Sequence, residues 1–183
     1  MKKFEDAIDY PLITKEEIKK RNRELGQQIT NDYKNKNENL LIIGILRGAV
    51  MFLTDLVKEI EIPVQIDFMA VSSYGNSSTS SGIVRIIKDL EEEVEDKNIL
   101  IVEDIIDTGL TLKYISENLK ARGAKSVRIA TFLDKIERRK VDVRADYVGF
   151  NIPDEFVIGY GLDYAQDYRN LPYVAVLKHS IYE

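Results

Sequence analysis

The pattern of apolar positions alternates between short continuous runs and stretches with helical spacing. Apolar runs with the length of buried parallel strands occupy residues 40–46, 64–71, 99–102 and 127–133. The helical stretches begin after Thr14, which with Glu17 matches a capping box, and after Thr111. Strands that alternate with helices predict an α/β fold whose central, mainly parallel sheet is flanked by helices.

The segment 98–123 combines a predicted strand, an acidic turn and a predicted helix. Polar side chains are concentrated in the turn, at Glu103, Asp104, Asp107, Thr108 and Thr111. Hydroxyls and the unpaired N–H groups of a helix N-terminus suit an anion, whereas three carboxylates repel one. Both features suit a ligand with phosphate at one end and hydroxyls or hydrated magnesium at the other, such as a ribose 5-phosphate. Simple capping of the helix is the alternative for an isolated D-T-G, and the Glu103-Asp104 pair favours the ligand.

Two further turns carry residues whose chemistry the sequence leaves open. Arg47-Gly48-Ala49 follows the apolar run at 40–46, and this turn suits simple packing and a pyrophosphate contact equally. Residues 72–82 are rich in serine and threonine around a single aromatic residue, Tyr74. Such a composition is typical of a solvated hairpin loop, and the lone aromatic side chain also suits an active-site lid.

Composition excludes several classes of function. The net charge of −5 argues against a nucleic-acid partner. There is no cysteine, and His179 is the only histidine, so we expect no thiolate or histidine metal site and no Ser-His-Asp triad. Oxygen-bound magnesium is the metal that this composition favours. Because we find no signal peptide and no apolar run of about 18 residues, we expect a cytoplasmic protein with no membrane partner.

Residues 102–111, VEDIIDTGLT, closely resemble the phosphoribosyl pyrophosphate signature of the type I phosphoribosyltransferases. The match is nearest to the form found in hypoxanthine-guanine phosphoribosyltransferases, and it extends over nearly the whole chain in the family's order of motifs. The resemblance implies the type I phosphoribosyltransferase fold with a small hood subdomain. We therefore expect residues 1–183 to form a single domain, with a core at about 35–135 and a hood made from the N-terminal segment and about 136–183.

The resemblance assigns four groups of residues to the sugar-phosphate substrate. Glu103 and Asp104 would hold the ribose hydroxyls, directly or through magnesium. The 5-phosphate would lie in the turn formed by Asp107, Thr108, Gly109, Leu110 and Thr111. The pyrophosphate loop, whose first peptide is usually cis in the family, would be Leu46, Arg47 and Gly48. Ser73 and Tyr74 match the family's closing loop.

The C-terminal third carries the residues that the resemblance assigns to the purine and the second metal. Lys135 matches the lysine that contacts the 6-oxo group, and Phe156 matches the aromatic residue that stacks on the ring. Val157 matches the residue whose backbone contacts the purine edge. Asp163 matches the carboxylate of a second magnesium site and is also assigned to the purine site, and Arg169 matches an arginine that reaches the pyrophosphate.

The sequence departs from the family pattern at two positions. Leu110 stands where many members have a lysine, so one possible contact to the phosphate is absent. Arg47 replaces the lysine of some members. Neither change touches the carboxylates, so both bear on affinity more than on reaction type.

The implied reaction transfers the 5-phosphoribosyl group from 5-phosphoribosyl 1-pyrophosphate to N9 of hypoxanthine or guanine and releases pyrophosphate. Mg²⁺ is the implied cofactor, and Asp107 is the implied base that accepts the proton at N7. The family's members are commonly homodimers or homotetramers. Which of hypoxanthine, guanine and xanthine is preferred stays open.

Three other classes of protein share parts of the pattern. A purine-operon repressor on the same fold would need a basic recognition helix, which residues 1–40 lack, and an RNA-binding pyrimidine-operon regulator would need a basic face. An aspartyl phosphotransferase would need the spacing D-x-D-x-T, which Asp104 and Asp107 do not meet. A response-regulator receiver would carry its acidic pair near the N-terminus.

Overall fold

The computed structural model describes residues 4–34, 40–73 and 84–182, and alternates strands with helices. In chain order the elements are α1 (Phe4–Ala7), β1 (Ile8–Ile13), α2 (Lys15–Tyr33), β2 (Leu40–Leu46), α3 (Val50–Leu56), β3 (Val64–Ser73), β4 (Val84–Lys88), β5 (Asn98–Ile106), α4 (Leu110–Ala121), β6 (Ser126–Asp134), β7 (Tyr147–Asn151), β8 (Val157–Ile158), β9 (Val174–Leu177) and α5 (His179–Tyr182). Short 3-10 turns follow α3 at Val57–Glu59 and β6 at Ile136–Arg138.

The larger sheet has six strands in the order β4-β3-β2-β5-β6-β7. Strands β3, β2, β5, β6 and β7 pair in parallel, and β4 is antiparallel at one edge. Apolar side chains of α2 and α3 pack on one face of this sheet, and those of α4 pack on the other. This arrangement confirms the predicted α/β fold. In the described part of the chain, no helix is long and apolar enough to cross a membrane.

The smaller sheet joins the two ends of the chain in the antiparallel order β1-β9-β8. Ile158, Ala175 and Leu177 of this sheet belong to a separate apolar cluster. Val157, Val174 and Val176, from the same strands, pack in the main core. The division into a core at about 35–135 and a hood stays a prediction. Strand β7 lies beyond residue 135 and nevertheless pairs with β6 in the larger sheet.

Strand β5 is longer than the sequence pattern predicts. The apolar run ends at Val102, but β5 continues to Ile106 because β6 pairs with it as far as Ile106 opposite Asp134. Glu103 and Asp104 therefore lie inside the strand rather than after it. Their backbones are fixed by the sheet, which holds two carboxylates at the strand's carboxyl end.

The predicted capping box at the start of α2 is present. The Thr14 hydroxyl accepts a hydrogen bond from the Glu17 N–H at 3.2 Å, and the Thr14 N–H donates to the Glu17 carboxylate at 2.8 Å. We expect Thr14→Ala to lower the free energy of unfolding by about 1 kcal/mol, measured by chemical denaturation. Thr54→Ala is the control, because the Thr54 hydroxyl only donates to the Met51 carbonyl within α3. Equal losses in both variants would contradict the capping role.

Candidate active site

A cavity of about 640 Å³ opens at the carboxyl ends of β2 and β5. Four segments line it: the end of β2 with the turn after it, the end of β3, the end of β5 with the turn before α4, and the loop between β8 and β9. Open α/β sheets bind their ligands at this edge of the sheet. The predicted site residues that the cavity brings together are Leu46, Arg47, Gly48, Glu103, Asp104, Asp107, Thr108, Gly109, Thr111, Asp163 and Arg169.

The turn before α4 is built to leave backbone N–H groups free. Gly109 is the N-cap residue, with a φ of +81°, and no side chain caps the helix. Thr108 Oγ1 lies 3.5 Å from the Leu110 nitrogen, at the limit of a hydrogen bond. The turn therefore does not support a simple capping role for Asp107 and Thr108. The first N–H groups of α4 are available to an anion. Leu110 begins the helix and does not line the cavity.

Glu103, which is buried, and Asp104, which is half-buried, form an acidic pair at the floor of the cavity. Burial raises the pKa of Glu103 well above its ordinary value, and the neighbouring Asp104 charge raises it further. Burial also raises the pKa of Asp104, and a hydrogen bond with Glu103 and the charge of Arg169 oppose that shift. Because the Asp104 charge disfavours ionisation of the buried Glu103, a cation that binds between or beside the two carboxylates would stabilise the ionised pair.

The acidic pair fits magnesium that is shared with a substrate. Among residues 4–34, 40–73 and 84–182, no group of three or more acidic, histidine or cysteine side chains could enclose a metal ion. Magnesium is usually held by one or two carboxylates together with water and substrate oxygens, so a complete protein cage is not needed. Glu103 and Asp104 would supply this partial set of ligands.

The turn after β2 closes against the acidic pair. The Leu46–Arg47 peptide is cis, as the resemblance implies. Gly48 has no room for a side chain, because a Cβ there would overlap the Asp104 carboxylate. Gly161, with a φ of +100°, packs so closely that its Cβ would overlap the Gly48 carbonyl. Sequence reasoning missed Gly161, since nothing in the sequence indicates this approach between distant turns.

Arg169 is held at the cavity by three contacts. Its guanidinium lies 2.7 Å from Asp163 Oδ1, donates to the Gly161 carbonyl at 2.6 Å and donates to Gln166 Oε1 at 3.2 Å. Arg47 donates to the same Gln166 oxygen at 3.0 Å. Gln166, which sequence reasoning missed, therefore links the two arginines predicted at the pyrophosphate. The second Asp163 oxygen accepts a hydrogen bond from the Gln166 N–H at 2.8 Å.

Of the four residues predicted to bind the purine, Asp163 lines this cavity, whereas Lys135, Phe156 and Val157 do not. Lys135 Nζ lies 3.3 Å from Asp154 Oδ1, and Val157 is buried in β8. Phe156 is 37% exposed and stacks on Tyr182, with ring centroids 4.9 Å apart and an interplanar angle of 23°. Asp154 and Tyr182 were not predicted from the sequence, where each resembles an ordinary surface residue.

The described residues include only one of the two residues predicted to form the lid. Ser73 is the last residue of β3. Tyr74 lies outside the described residues. The role of both residues stays a prediction, although Ser72, beside them, lines the cavity.

The raised pKa of Glu103 predicts a gain in stability when its charge is removed. Below the raised pKa the folded protein binds more protons at Glu103 than the unfolded protein, so wild-type stability falls as pH rises through that pKa. We expect Glu103→Gln to melt at a higher temperature than wild type at pH 8 in a chelator, with a smaller difference at pH 5. Glu93→Gln, at an exposed position, is the control. A lower melting temperature of Glu103→Gln at pH 8 would contradict the buried like-charge pair.

Comparison with known proteins agrees with the geometry of this site. Residues 12–165 match the phosphoribosyl transferase domain family. The fold and the site thus define a phosphoribosyltransferase. The chain is 55% identical to the hypoxanthine-guanine phosphoribosyltransferase of Bacillus subtilis, over 96% of this chain and 97% of that one. It is 51% identical to the Streptococcus mutans protein of the same name, over 98% of each chain.

Solved structures give the same result. A crystal structure of a hypoxanthine phosphoribosyltransferase from Staphylococcus aureus matches with a TM-score of 0.94 and 50% identity, covering 98% of this chain and 96% of that one. The chain belongs to the hypoxanthine-guanine phosphoribosyltransferase family.

Proposed function

We propose that the protein transfers the 5-phosphoribosyl group from 5-phosphoribosyl 1-pyrophosphate to N9 of hypoxanthine or guanine, giving the nucleotide and pyrophosphate. One observation carries the proposal: a single cavity joins an uncapped helix N-terminus, an acidic pair whose Glu103 is buried, and a turn that carries an arginine. These three features match the 5-phosphate, the ribose hydroxyls and the pyrophosphate of that substrate.

The chain's own residues account for binding and charge stabilisation in the reaction. The α4 N-terminus at Thr108 and Gly109 holds the 5-phosphate, while Glu103 and Asp104 hold the ribose hydroxyls. The same two carboxylates would hold magnesium, which would supply positive charge for the leaving pyrophosphate. Arg169 also stabilises the charge that develops on that group.

The proposed base is Asp107. Its carboxylate lines the cavity beside the phosphate turn and accepts the proton that N7 of the purine loses as N9 bonds to C1 of the ribose. The negative charges of Glu103 and Asp104 favour the positive charge that builds on the ribose ring. Asp163, ion-paired with Arg169, is proposed as a ligand of a second magnesium ion.

The proposed purine site consists of Lys135 at the 6-oxo group, the Val157 backbone at the ring edge and Phe156 on the ring face. Lys135 discriminates against a 6-amino purine, because an ammonium has donors only and cannot accept a hydrogen bond from the amino group. This contact supports 6-oxopurines as the substrate class.

Phe156 tests the purine site separately from the sugar site. We expect Phe156→Ala to raise KM for hypoxanthine roughly tenfold, since stacking on one base contributes about 1–3 kcal/mol, and to leave KM for the sugar substrate unchanged. The matched control is Tyr114→Ala, because Tyr114 on α4 is also 37% exposed. Equal increases in both KM values would contradict the stacking role.

The proposed function is tested with a panel of purine bases. The protein is incubated with 5-phosphoribosyl 1-pyrophosphate, MgCl₂ and one of hypoxanthine, guanine, xanthine or adenine, and nucleotide formation is followed by chromatography. We expect nucleotides from hypoxanthine or guanine and none from adenine. Failure with every base would instead favour a regulator built on the same fold.

We further propose that the protein works in the cytoplasm as a homodimer or homotetramer, with small molecules rather than nucleic acid or membranes as partners. The relatives' shared family and the net charge of −5 support this assignment. Light scattering after gel filtration tests the oligomer, and a monomeric mass would contradict it.

A further inference from the structure

Arg138 connects the proposed base to the proposed purine site. Its Nε atom lies 2.6 Å from Asp107 Oδ1, and its Nη1 atom lies 3.1 Å from each oxygen of Asp154. Asp154 in turn lies 3.3 Å from Lys135 Nζ. Four charges of alternating sign therefore run from Asp107 through Arg138 and Asp154 to Lys135.

The two ends of this chain of charges are assigned to the same edge of the purine. N7, whose proton Asp107 is proposed to accept, and the 6-oxo group, proposed for Lys135, are neighbours on a 6-oxopurine. A link that fixes the distance between Asp107 and Lys135 therefore fixes how the purine edge sits in the site. The link comes from three separate loops, after β5, after β6 and after β7, so no single loop sets that distance.

The contact between Arg138 and Asp107 leaves the carboxylate able to accept a proton. In the described part of the chain, Asp107 Oδ1 is buried against the Arg138 guanidinium, while the Asp107 side chain as a whole is 43% exposed. The ion pair therefore holds one carboxylate oxygen in place and leaves the exposed part of the carboxylate open to a donor from a ligand. This is the arrangement that a positioned general base requires.

We propose that Arg138 is a positioning residue, which aligns Asp107 with Lys135 through Asp154 so that the N7 and 6-oxo edge of the purine meets both. This role rests on the proposed function of the site. Arg138 acts through Asp107 and does not itself contact the reacting atoms. A bridging arginine suits the task because its planar fork reaches two carboxylates at once, which a lysine ammonium does not do equally well.

The test is a double-mutant cycle on kcat with hypoxanthine. We expect Arg138→Gln to lower kcat roughly tenfold and to leave KM for the sugar substrate unchanged. The loss of kcat is smaller than the full contribution of a general base, because Asp107 itself is still present. In the Asp107→Asn background, the same change should alter kcat by less than about twofold, because the residue through which Arg138 acts is already lost. Arg138→Lys should retain part of the activity.

The control is Arg144→Gln, because Arg144 is 92% exposed and lies in the same charged segment. Its activity should equal that of the wild type. Equal kcat values for Arg138→Gln and Arg144→Gln would overturn the positioning role, and so would a full tenfold effect of Arg138→Gln in the Asp107→Asn background. If the wild-type protein makes no nucleotide, the proposed function fails instead. Melting curves show whether each variant is folded.

Discussion

Replacing Asp107 with Asn is expected to lower kcat with hypoxanthine by about 10²–10⁴-fold, because a positioned general base contributes that much. An amide keeps the shape of the carboxylate and cannot take the N7 proton. KM for 5-phosphoribosyl 1-pyrophosphate should change little, since the ribose hydroxyls are assigned to Glu103 and Asp104. Steady-state kinetics with each substrate varied in turn measures both quantities.

The control for this change is Asp142→Asn. Asp142 is 94% exposed, and its Oδ1 atom lies 3.8 Å from Arg144 Nε. An ion pair this exposed contributes little, so its loss should leave kcat at the wild-type value. A fall of less than about tenfold in Asp107→Asn would make the general-base role untenable. A matching fall in Asp142→Asn would show an effect of net charge alone.

Replacing Arg169 with Gln is expected to lower kcat/KM for the sugar substrate about 100-fold, the effect of removing one donor from a developing negative charge. The variant also loses the cation that pairs with Asp163 and that opposes the raised pKa of Asp104. KM for hypoxanthine should change much less. Kinetics with the sugar substrate varied at saturating hypoxanthine measures the effect.

Arg144→Gln removes the same charge at an exposed position and is the matched control. Its kcat/KM for the sugar substrate should equal that of the wild type. If Arg169→Gln raised KM for hypoxanthine as strongly as KM for the sugar substrate, Arg169 would act on the fold of the loop rather than on the pyrophosphate.

The sheet, and the grouping of the residues assigned to the sugar-phosphate substrate around one cavity, were predictable because they depend on contiguous sequence. An apolar run makes a parallel strand, and the turn after it lies at the sheet's carboxyl edge. The segment 98–123 therefore predicted strand, acidic turn and helix, and the structure forms β5, the turn and α4 in that order. The end of β5 was missed because pairing with β6, rather than apolar composition, decides it.

The contacts between separate loops were not predictable. Gln166 joins Arg47 and Arg169 through one amide oxygen, and its sequence neighbourhood gives no sign of this. Arg138 lies in a charged segment that looks solvated, yet it pairs with Asp107. Since such contacts depend on how loops meet in three dimensions, local composition carries no signal for them.

Glu103 and Asp104 illustrate a different gap between sequence and structure. Their order in the sequence predicted a carboxylate pair, and the structure adds that Glu103 is buried, that Asp104 is half-buried and that burial raises both pKa values. Buried like charges lower the stability of the fold, and functional sites retain them where the function requires them. The pair is therefore more easily explained by a bound cation or by ribose hydroxyls than by folding.

The central claim is that this cavity joins a phosphoribosyl group to a 6-oxopurine. In the most direct measurement, the protein is incubated with hypoxanthine, 5-phosphoribosyl 1-pyrophosphate and magnesium, and every product is quantified. The account predicts inosine 5′-monophosphate and pyrophosphate in equal amounts, with the product lost when magnesium is chelated. Ribose 5-phosphate and pyrophosphate without the nucleotide, or no reaction at all, would contradict it.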